Sequence, residues 1–217
     1  MQKENVQKAF QQLKEQTKKR TFVQTFDLII NLQNLDVKKP EEHVDFFLQL
    51  PHGLGRKIKT CAFVGPELKD EAEKNCDKVI LIEEVAQYDK KKAKKLAEEY
   101  DYFIAQANLM AKVASSLGKI LGPRGKMPNP KAGCVVPPKV TLKPLCERLQ
   151  KTVRLQTKDK LVVYASLGKE DQAENELLEN TMAVYTQLVN VVPSHENNIR
   201  EVLIKYTMSK PVKVYHA

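Results

Sequence analysis

The apolar residues of this chain recur with two different rhythms, and the change between them constrains the fold more than any other feature. Near both ends they alternate with polar residues, which is typical of strands that bury one face. These alternating runs are residues 22–32, 44–50, 153–155, 161–167 and 199–207. Helical spacing marks residues 3–18 and 173–192. The ends of the chain therefore predict an antiparallel sheet with helices, with a loop at Pro40.

The middle of the chain has a second rhythm, in which short apolar runs alternate with amphipathic ones. The short runs, read as strands, are residues 58–64, 78–82 and 102–105. The runs read as helices are residues 66–75, 89–97, 108–117 and 141–149. Strands that alternate with helices are typical of a small parallel sheet covered by helices on its faces.

Because the two ends share one pattern, the simplest architecture is a domain inserted into another. We expect α+β and α/β parts in two domains. Residues 1–66 and 152–217 would form an antiparallel, split βαβ-like domain. Residues 67–151 would form an inserted three-layer, Rossmann-like α/β domain.

A glycine- and proline-rich basic stretch, LGKILGPRGKMPNPKAG, occupies residues 117–133. Proline lacks a backbone donor and glycine carries an entropy cost, so we expect an ordered loop rather than a helix or a central strand. Arg124 and Lys126 would be held on this framework with limited freedom. The stretch predicts a contact with phosphates, a domain-closing hinge loop, or both together.

The formal net charge of +9 indicates a polyanionic partner, with nucleic acid ahead of a membrane surface. The chain has no tryptophan and few aromatic residues, which favours recognition of folded nucleic acid through its backbone and shape over stacking on single strands. No run reaches the length of a membrane helix, and the first residues lack the apolar core of a signal peptide. We therefore expect a cytoplasmic protein that binds no membrane.

The cysteines, Cys61, Cys76, Cys134 and Cys146, contain no Cys-x-x-Cys pair. Metal-finger spacing is thus missing, and a reducing compartment disfavours disulfides, so we expect buried free thiols.

The sequence lacks the common motifs for catalysis and for nucleotide binding. A P-loop ending at Gly125-Lys126 would need glycine where Ile120 stands and a hydroxyl where Met127 stands. The histidines are scattered, and neither a zinc-protease nor a nucleophile-elbow motif occurs. The lysine run at residues 90–95 fits a solvated helix face. We expect no enzyme, no cofactor, no metal site and no small-molecule substrate.

LGKILGPRGKMPNPKAG resembles the signature of the ribosomal protein L-one family, the side-stalk proteins of the large subunit. KRTFVQT, LPHGLGRK and KYTMSKP are similar to further family stretches, and the likeness, archaeal in type, covers the whole chain. The resemblance implies binding to a folded rRNA junction, a role in releasing deacylated tRNA from the exit site, and repression of the protein's own mRNA. It also implies the two-domain layout and a main RNA contact on the domain built from both termini.

The family's RNA-contact positions map onto three short segments and the cations beside them. By resemblance the rRNA-binding residues are Lys19, Arg20, Phe22, Thr25, Thr157, Lys158, Lys205, Tyr206, Thr207, Met208, Ser209 and Lys210. Arg124 and Lys126 would form a secondary RNA contact. Phe22 has the inward parity of its strand, which conflicts with a role at the surface. Ser209 replaces the usual family glycine, which would be costly if this position needed positive φ.

Two other functions stay open at this point. One is a nucleotide-binding enzyme that uses the inserted domain, and the other is an RNA regulator that acts away from the ribosome.

Overall fold

The computed structural model describes residues 2–36, 39 and 42–216, so the predicted loop at Pro40 lies outside the described residues. The chain divides into two compact units. Unit 1 comprises Met1–Arg56 and Lys151–Ala217, and unit 2 comprises Lys57–Gln150. The sequence predicted the first crossing after residue 66, which is too late. Thr60–Val64 is an interior strand of the parallel sheet, so it must belong to unit 2.

The helices are α1 Lys3–Gln16, α2 Lys69–Asn75, α3 Lys90–Glu99, α4 Met110–Leu121, α5 Lys143–Leu149 and α6 Glu174–Val191. The strands are β1 Thr25–Leu32, β2 Asp45–Gln49, β3 Thr60–Val64, β4 Lys78–Leu81, β5 Tyr102–Gln106, β6 Val135–Val136, β7 Thr152–Gln156, β8 Val162–Lys169, β9 Ile199–Tyr206 and β10 Val212–His216.

Unit 1 is built on an antiparallel sheet with the strand order β10-β9-β1-β8. Every second residue of β1 is buried, which matches the alternation in the sequence. Helices α1 and α6 touch each other, α1 also contacts β9 and β10, and α6 contacts β8. The buried face therefore carries both helices, and strands β2 and β7 pair separately.

An aromatic cluster fills the core beneath α1. The ring centroids of Phe10 and Phe26 are 4.9 Å apart, and Tyr206 meets Phe26 edge-on at 5.9 Å. All three side chains are buried. Burying side chains of this size stabilises the fold by roughly 1.5–3 kcal/mol each, so this cluster fixes how α1 lies on the sheet.

Unit 2 contains a parallel sheet with the strand order β4-β3-β5-β6. Cys61 and Phe63 of β3 belong to a core cluster with residues of α3 and α4. Helix α2 contacts β3 and β4, and its end meets α5 where Cys76 lies beside Cys146. The predicted α+β and α/β classes, with a Rossmann-like arrangement in the middle segment, are confirmed.

Three elements differ from the sequence expectation. Helix α4 runs through Leu121 rather than ending near Leu117, because burial of Leu117 and Leu121 outweighs the cost of about 1 kcal/mol for Gly118 inside a helix. The sequence pattern predicts no element after residue 207, yet the segment after Pro211 forms the edge strand β10 and buries Val212 and Val214. The short strand β6 was not predicted.

No helix within the described part of the chain is both long and apolar enough to span a membrane.

Candidate nucleic-acid interface

Three segments of unit 1 meet at one end of the antiparallel sheet. Strand β1 begins at Thr25, opposite Lys169, the last residue of β8. On the other side Phe26 pairs with Tyr206, the last residue of β9. The connection from α1 and the turn from β9 to β10 therefore arrive at the same end. We call this surface the terminal rim. It comprises Lys19, Arg20, Phe22, Val23, Thr25, Lys169, Lys205, Thr207, Met208 and Lys210.

Two threonines from opposite ends of the chain are locked together in the rim. The Thr207 hydroxyl accepts a hydrogen bond from the Thr25 N–H at 2.9 Å, and the Thr207 N–H donates to the Thr25 carbonyl at 3.1 Å. The Lys169 ammonium donates to the Thr25 hydroxyl at 3.0 Å. The rim therefore presents hydroxyls and a cation in a fixed arrangement.

Gln24 positions the rim from beneath. It is fully buried, and its amide oxygen accepts a hydrogen bond from the Met208 N–H at 3.1 Å. Its amide nitrogen donates to Glu170 at 3.2 Å, and the Glu170 N–H donates back to the Gln24 carbonyl at 2.9 Å. One buried side chain thus ties the Met208 turn to the strand that precedes α6.

Ser209 closes the turn after β9. Its hydroxyl accepts a hydrogen bond from the Tyr206 N–H at 2.8 Å, and its own N–H donates to the Tyr206 carbonyl at 3.1 Å. Among the described non-glycine residues, positive φ occurs at Asn34 and His195 and not at Ser209. Serine therefore fits this position without backbone strain, and its hydroxyl supplies a bond that glycine cannot make.

Large apolar side chains stand in solvent on the rim beside its cations. Phe22 is 50% exposed, Val23 is 52% exposed and Met208 is 59% exposed. The conflict over Phe22 disappears because β1 begins only at Thr25, so the parity of the strand does not reach Phe22. Lys19, Arg20 and Lys210 are exposed nearby in sequence. Such a mixture suits ribose and base surfaces bordered by phosphates.

Tyr206 does not present its side chain on this surface. The ring is 2% exposed and lies in the aromatic core cluster. Burial raises the pKa of Tyr206 to about 12. The RNA contact of Tyr206 stays a prediction, and its side chain lies in the core because an inward position on β9 points it at α1.

Thr157 and Lys158 are also placed elsewhere. Their link joins β7 to β8, and β8 starts at Val162 opposite Asn31, the far end of β1 from Thr25. At about 3.4 Å per residue the two ends of β1 are roughly 24 Å apart. Thr157 is buried, and its hydroxyl accepts a hydrogen bond from the Val44 N–H at 3.2 Å. The other predicted contact residues of unit 1 lie in the segments that reach the Thr25 end of β1, whereas this pair lies at the other end, with Lys158 exposed.

The basic loop of unit 2 uses its predicted contact residues internally. Arg124 donates to the Lys94 carbonyl at 3.0 Å and to Glu98 at 3.1 Å. Lys126 donates to the Tyr100 carbonyl at 2.7 Å. Both side chains hold the loop against the core of unit 2, which favours the loop-closing interpretation over a free phosphate contact.

Sequence reasoning missed Gln24, Val23 and Lys169. Gln24 gave a usable signal, since it occupies an inward position beside a strand start and a buried amide needs partners. It also missed a shallow cavity of about 300 Å³ on the open face of the sheet, lined by Asp27, Ile29, Tyr164, Ala165, Ser166 and Lys205. Tyr164 is 66% exposed there, and the alternation along β8 already pointed it away from the core.

The place where a parallel sheet usually accepts a nucleotide is filled in unit 2. Strand order reverses between β3 and β5, and ligands of such sheets bind outside the carboxyl ends of these strands. There the buried side chain of Gln106 accepts a hydrogen bond from the Gly65 N–H. Across the described residues, no three potential metal-ligating side chains cluster.

The family model described as "Ribosomal protein L1p/L10e family" matches residues 13–210. The protein named large ribosomal subunit protein uL1 of Nanoarchaeum equitans is 42% identical over 201 residues, which cover 91% of this chain and 93% of that protein. The uL1 of Thermococcus kodakarensis is 41% identical over 209 residues, 95% of this chain and 94% of that protein. The uL1 of Archaeoglobus fulgidus is 37% identical over 215 residues, 98% of each.

These relatives are all named as proteins of the large ribosomal subunit. Both the family match and the identities extend over nearly the whole sequence. The chain therefore belongs to the ribosomal protein L1p/L10e family.

Proposed function

We propose that this protein is a structural constituent of the large ribosomal subunit and binds a folded junction of large-subunit rRNA through the terminal rim. The protein is ribosome-associated in the cytoplasm. The observation that carries the proposal is the locked pair Thr25 and Thr207, with the Lys169 ammonium bonded to the Thr25 hydroxyl and exposed Met208 next in the chain. Family membership supports the choice of rRNA as the polyanion.

The rim has the chemistry that a folded RNA surface requires. Hydroxyls and lysine ammonium groups donate to phosphates and 2′-hydroxyls, and exposed Phe22 and Met208 pack against sugars and bases. Because the sheet and the buried Gln24 hold these groups in place, little conformational entropy is lost on binding. Preorganisation of this kind suits recognition of shape rather than of a single-stranded sequence.

Two finer roles belong to this proposal. In the first, the protein anchors the mobile side stalk and assists release of deacylated tRNA from the exit site. In the second, it binds a similar fold in its own mRNA and represses translation. Both use the terminal rim, so a change that weakens rRNA binding also weakens mRNA binding.

The test is a comparison of two double variants in binding to an rRNA fragment that contains the stalk junction. Thr207→Ala with Met208→Ala removes a hydroxyl and an apolar contact from the rim, and we expect affinity to fall roughly tenfold or more. Lys91→Ala with Lys92→Ala on α3 is the matched control and should change affinity less. The reverse ranking would move the RNA site to unit 2.

Salt dependence gives an independent test. The logarithm of the association constant should fall linearly with the logarithm of salt concentration, with a slope on the order of −3 to −5 for the cations of the rim. A flat response would contradict a contact based on phosphates. Sedimentation with large subunits at moderate salt separates a ribosomal constituent, which stays bound, from an RNA regulator that acts elsewhere.

A further inference from the structure

Two thiols of unit 2 lie next to each other although they are far apart in sequence. The sulfur of Cys76, at the end of α2, is 3.8 Å from the sulfur of Cys146 on α5. The other two cysteines are deeper, with Cys61 fully buried and Cys134 2% exposed. The chain thus contains one close thiol pair and two inert buried thiols.

The surroundings of the pair distinguish its two members. A hydrogen bond from Cys76 lowers the pKa of Cys146, whereas the same bond raises the pKa of Cys76. The Thr60 hydroxyl supports the ionised form of each thiol by hydrogen bonding. Of the two thiols, Cys146 is therefore the one that ionises more readily, and Cys76 retains its proton more strongly.

The pair can also be reached from solvent. Cys76 is only partly buried and Cys146 is 8% exposed. Small oxidants react with thiolates according to their ionisation and exposure. Cys61 and Cys134 are both buried and hard to ionise, because burial raises the pKa of Cys61 to about 12 and that of Cys134 to about 11.

We propose that Cys76 and Cys146 form a redox-sensitive dithiol that a peroxide converts reversibly into a disulfide. The Cys146 thiolate attacks one peroxide oxygen, the O–O bond breaks, and hydroxide leaves as Cys146 becomes a sulfenic acid. The Cys76 sulfur then attacks the Cys146 sulfur and loses its proton, and the sulfenic hydroxyl leaves as water. For hydrogen peroxide, two thiols lose two electrons and the peroxide is reduced to two waters.

The disulfide would join α5 to the end of α2 and so close a long loop. The separation along the chain is 70 residues. Cross-links that close loops of this length constrain the unfolded chain most strongly, so the oxidised protein should unfold at a higher temperature. Reduction by a dithiol reagent restores the original state. In a reducing compartment the pair rests as thiols and responds only to an oxidant.

The experiment treats the full-length protein with hydrogen peroxide, alkylates the remaining thiols after denaturation, and identifies cross-linked peptides by mass spectrometry. We expect two of the four thiols to disappear, a mass loss of two hydrogens, one peptide pair containing Cys76 and Cys146, and recovery of all four thiols with dithiothreitol. The transition temperature should rise by several degrees on oxidation.

Two single variants, Cys76→Ser and Cys146→Ser, should form no intramolecular cross-link and show no rise in the transition temperature. Cys61→Ala and Cys134→Ala should behave as the unmodified protein does, and circular dichroism identifies any variant that fails to fold. Four alkylated thiols after peroxide treatment, or oxidation of Cys146 to the sulfinic acid without a cross-link, would overturn the proposal. Cross-links spread evenly over other cysteine pairs would do the same.

Discussion

At the residue scale, the terminal rim depends on side chains that never reach the surface. Gln24 is fully buried and supports the Met208 turn through its amide oxygen. Tyr206 is buried next to that turn and anchors it to the core under α1. The exposed groups that would meet RNA are therefore positioned by residues that would not touch it.

Replacing Gln24 by alanine should lower the free energy of unfolding by about 1–3 kcal/mol, because the Met208 N–H and Glu170 lose a buried partner. Chemical denaturation measures the loss. Gln12, exposed on α1, provides the control, and Gln12→Ala should change stability by less than about 0.5 kcal/mol. Equal effects of the two changes would show that Gln24 has no special structural role.

Tyr206 makes stability depend on alkaline pH. Its folded pKa of about 12 lies above the value of about 10 for an unfolded chain, so its contribution is complete below pH 10 and is lost as pH rises towards 12. We expect a loss of about 1–3 kcal/mol from this group over that range. Urea unfolding at pH 8 and pH 11 measures it, and Tyr206→Phe should flatten the pH dependence. Tyr185, whose pKa burial also raises, leaves a residual slope in that variant.

At the scale of elements, the basic stretch of residues 117–133 combines a helix end with a pinned loop. Its first residues complete α4, and the remainder is fixed by Arg124 and Lys126 through bonds to carbonyls and to Glu98. Gly133 ends the loop with φ of 75°, next to the guanidinium of Arg148. Gly133 thus needs the left-handed backbone that favours glycine, whereas Gly118 lies inside α4, where alanine is the better helix former.

Gly133→Ala and Gly118→Ala should change stability in opposite directions. A Cβ at Gly133 would lie 2.0 Å from an Arg148 nitrogen and needs a left-handed backbone, so we expect a loss of about 1 kcal/mol or more. A Cβ at Gly118 meets nothing within 4 Å, and alanine inside α4 should add about 0.5–1 kcal/mol. Thermal unfolding of both variants tests the pair. A stabilising change at Gly133 would contradict the packing of Arg148.

Period-two and helical patterns predicted α1, β1, β8, α6 and β9 because each of these elements buries one face, and burial leaves a regular trace in the sequence. The end of α4 could not be predicted from local preferences, because the buried side chains of Leu117 and Leu121 are what carry the helix past Gly118. The position of Lys158 could not be predicted either, since it depends on the pairing register of β1 with β8. Resemblance pointed to eight residues of the rim but not to Val23 or Lys169, and only the structure separates exposed Met208 from buried Tyr206.

At the scale of the whole molecule, the chain enters and leaves unit 2 at neighbouring points. The Gln150 side chain accepts a hydrogen bond from the Ile58 N–H and donates to the Ile58 carbonyl, each at 2.8 Å. In unit 1 the Leu50 N–H donates to the Lys151 carbonyl at 2.8 Å, beside the pairing of β2 with β7. Each unit therefore closes its own structure around the two crossings.

Replacing residues 57–150 by a flexible glycine and serine linker of about ten residues should leave unit 1 folded, because its sheet, helices and aromatic core lie outside the deleted segment. If the terminal rim carries the binding, affinity for the stalk-junction RNA should stay within about tenfold of the intact protein. Circular dichroism and filter binding measure the two outcomes. A folded variant that has lost all affinity would assign the contact to unit 2.

The amide of Gln106 closes the position that parallel sheets generally leave vacant for a guest molecule. Screening a library of nucleoside analogues should therefore yield no ligand for this position. An inhibitor search would do better to target the terminal rim. For protein engineering, replacing Gln106 by a residue with a shorter side chain should open a pocket at the carboxyl ends of β3 and β5.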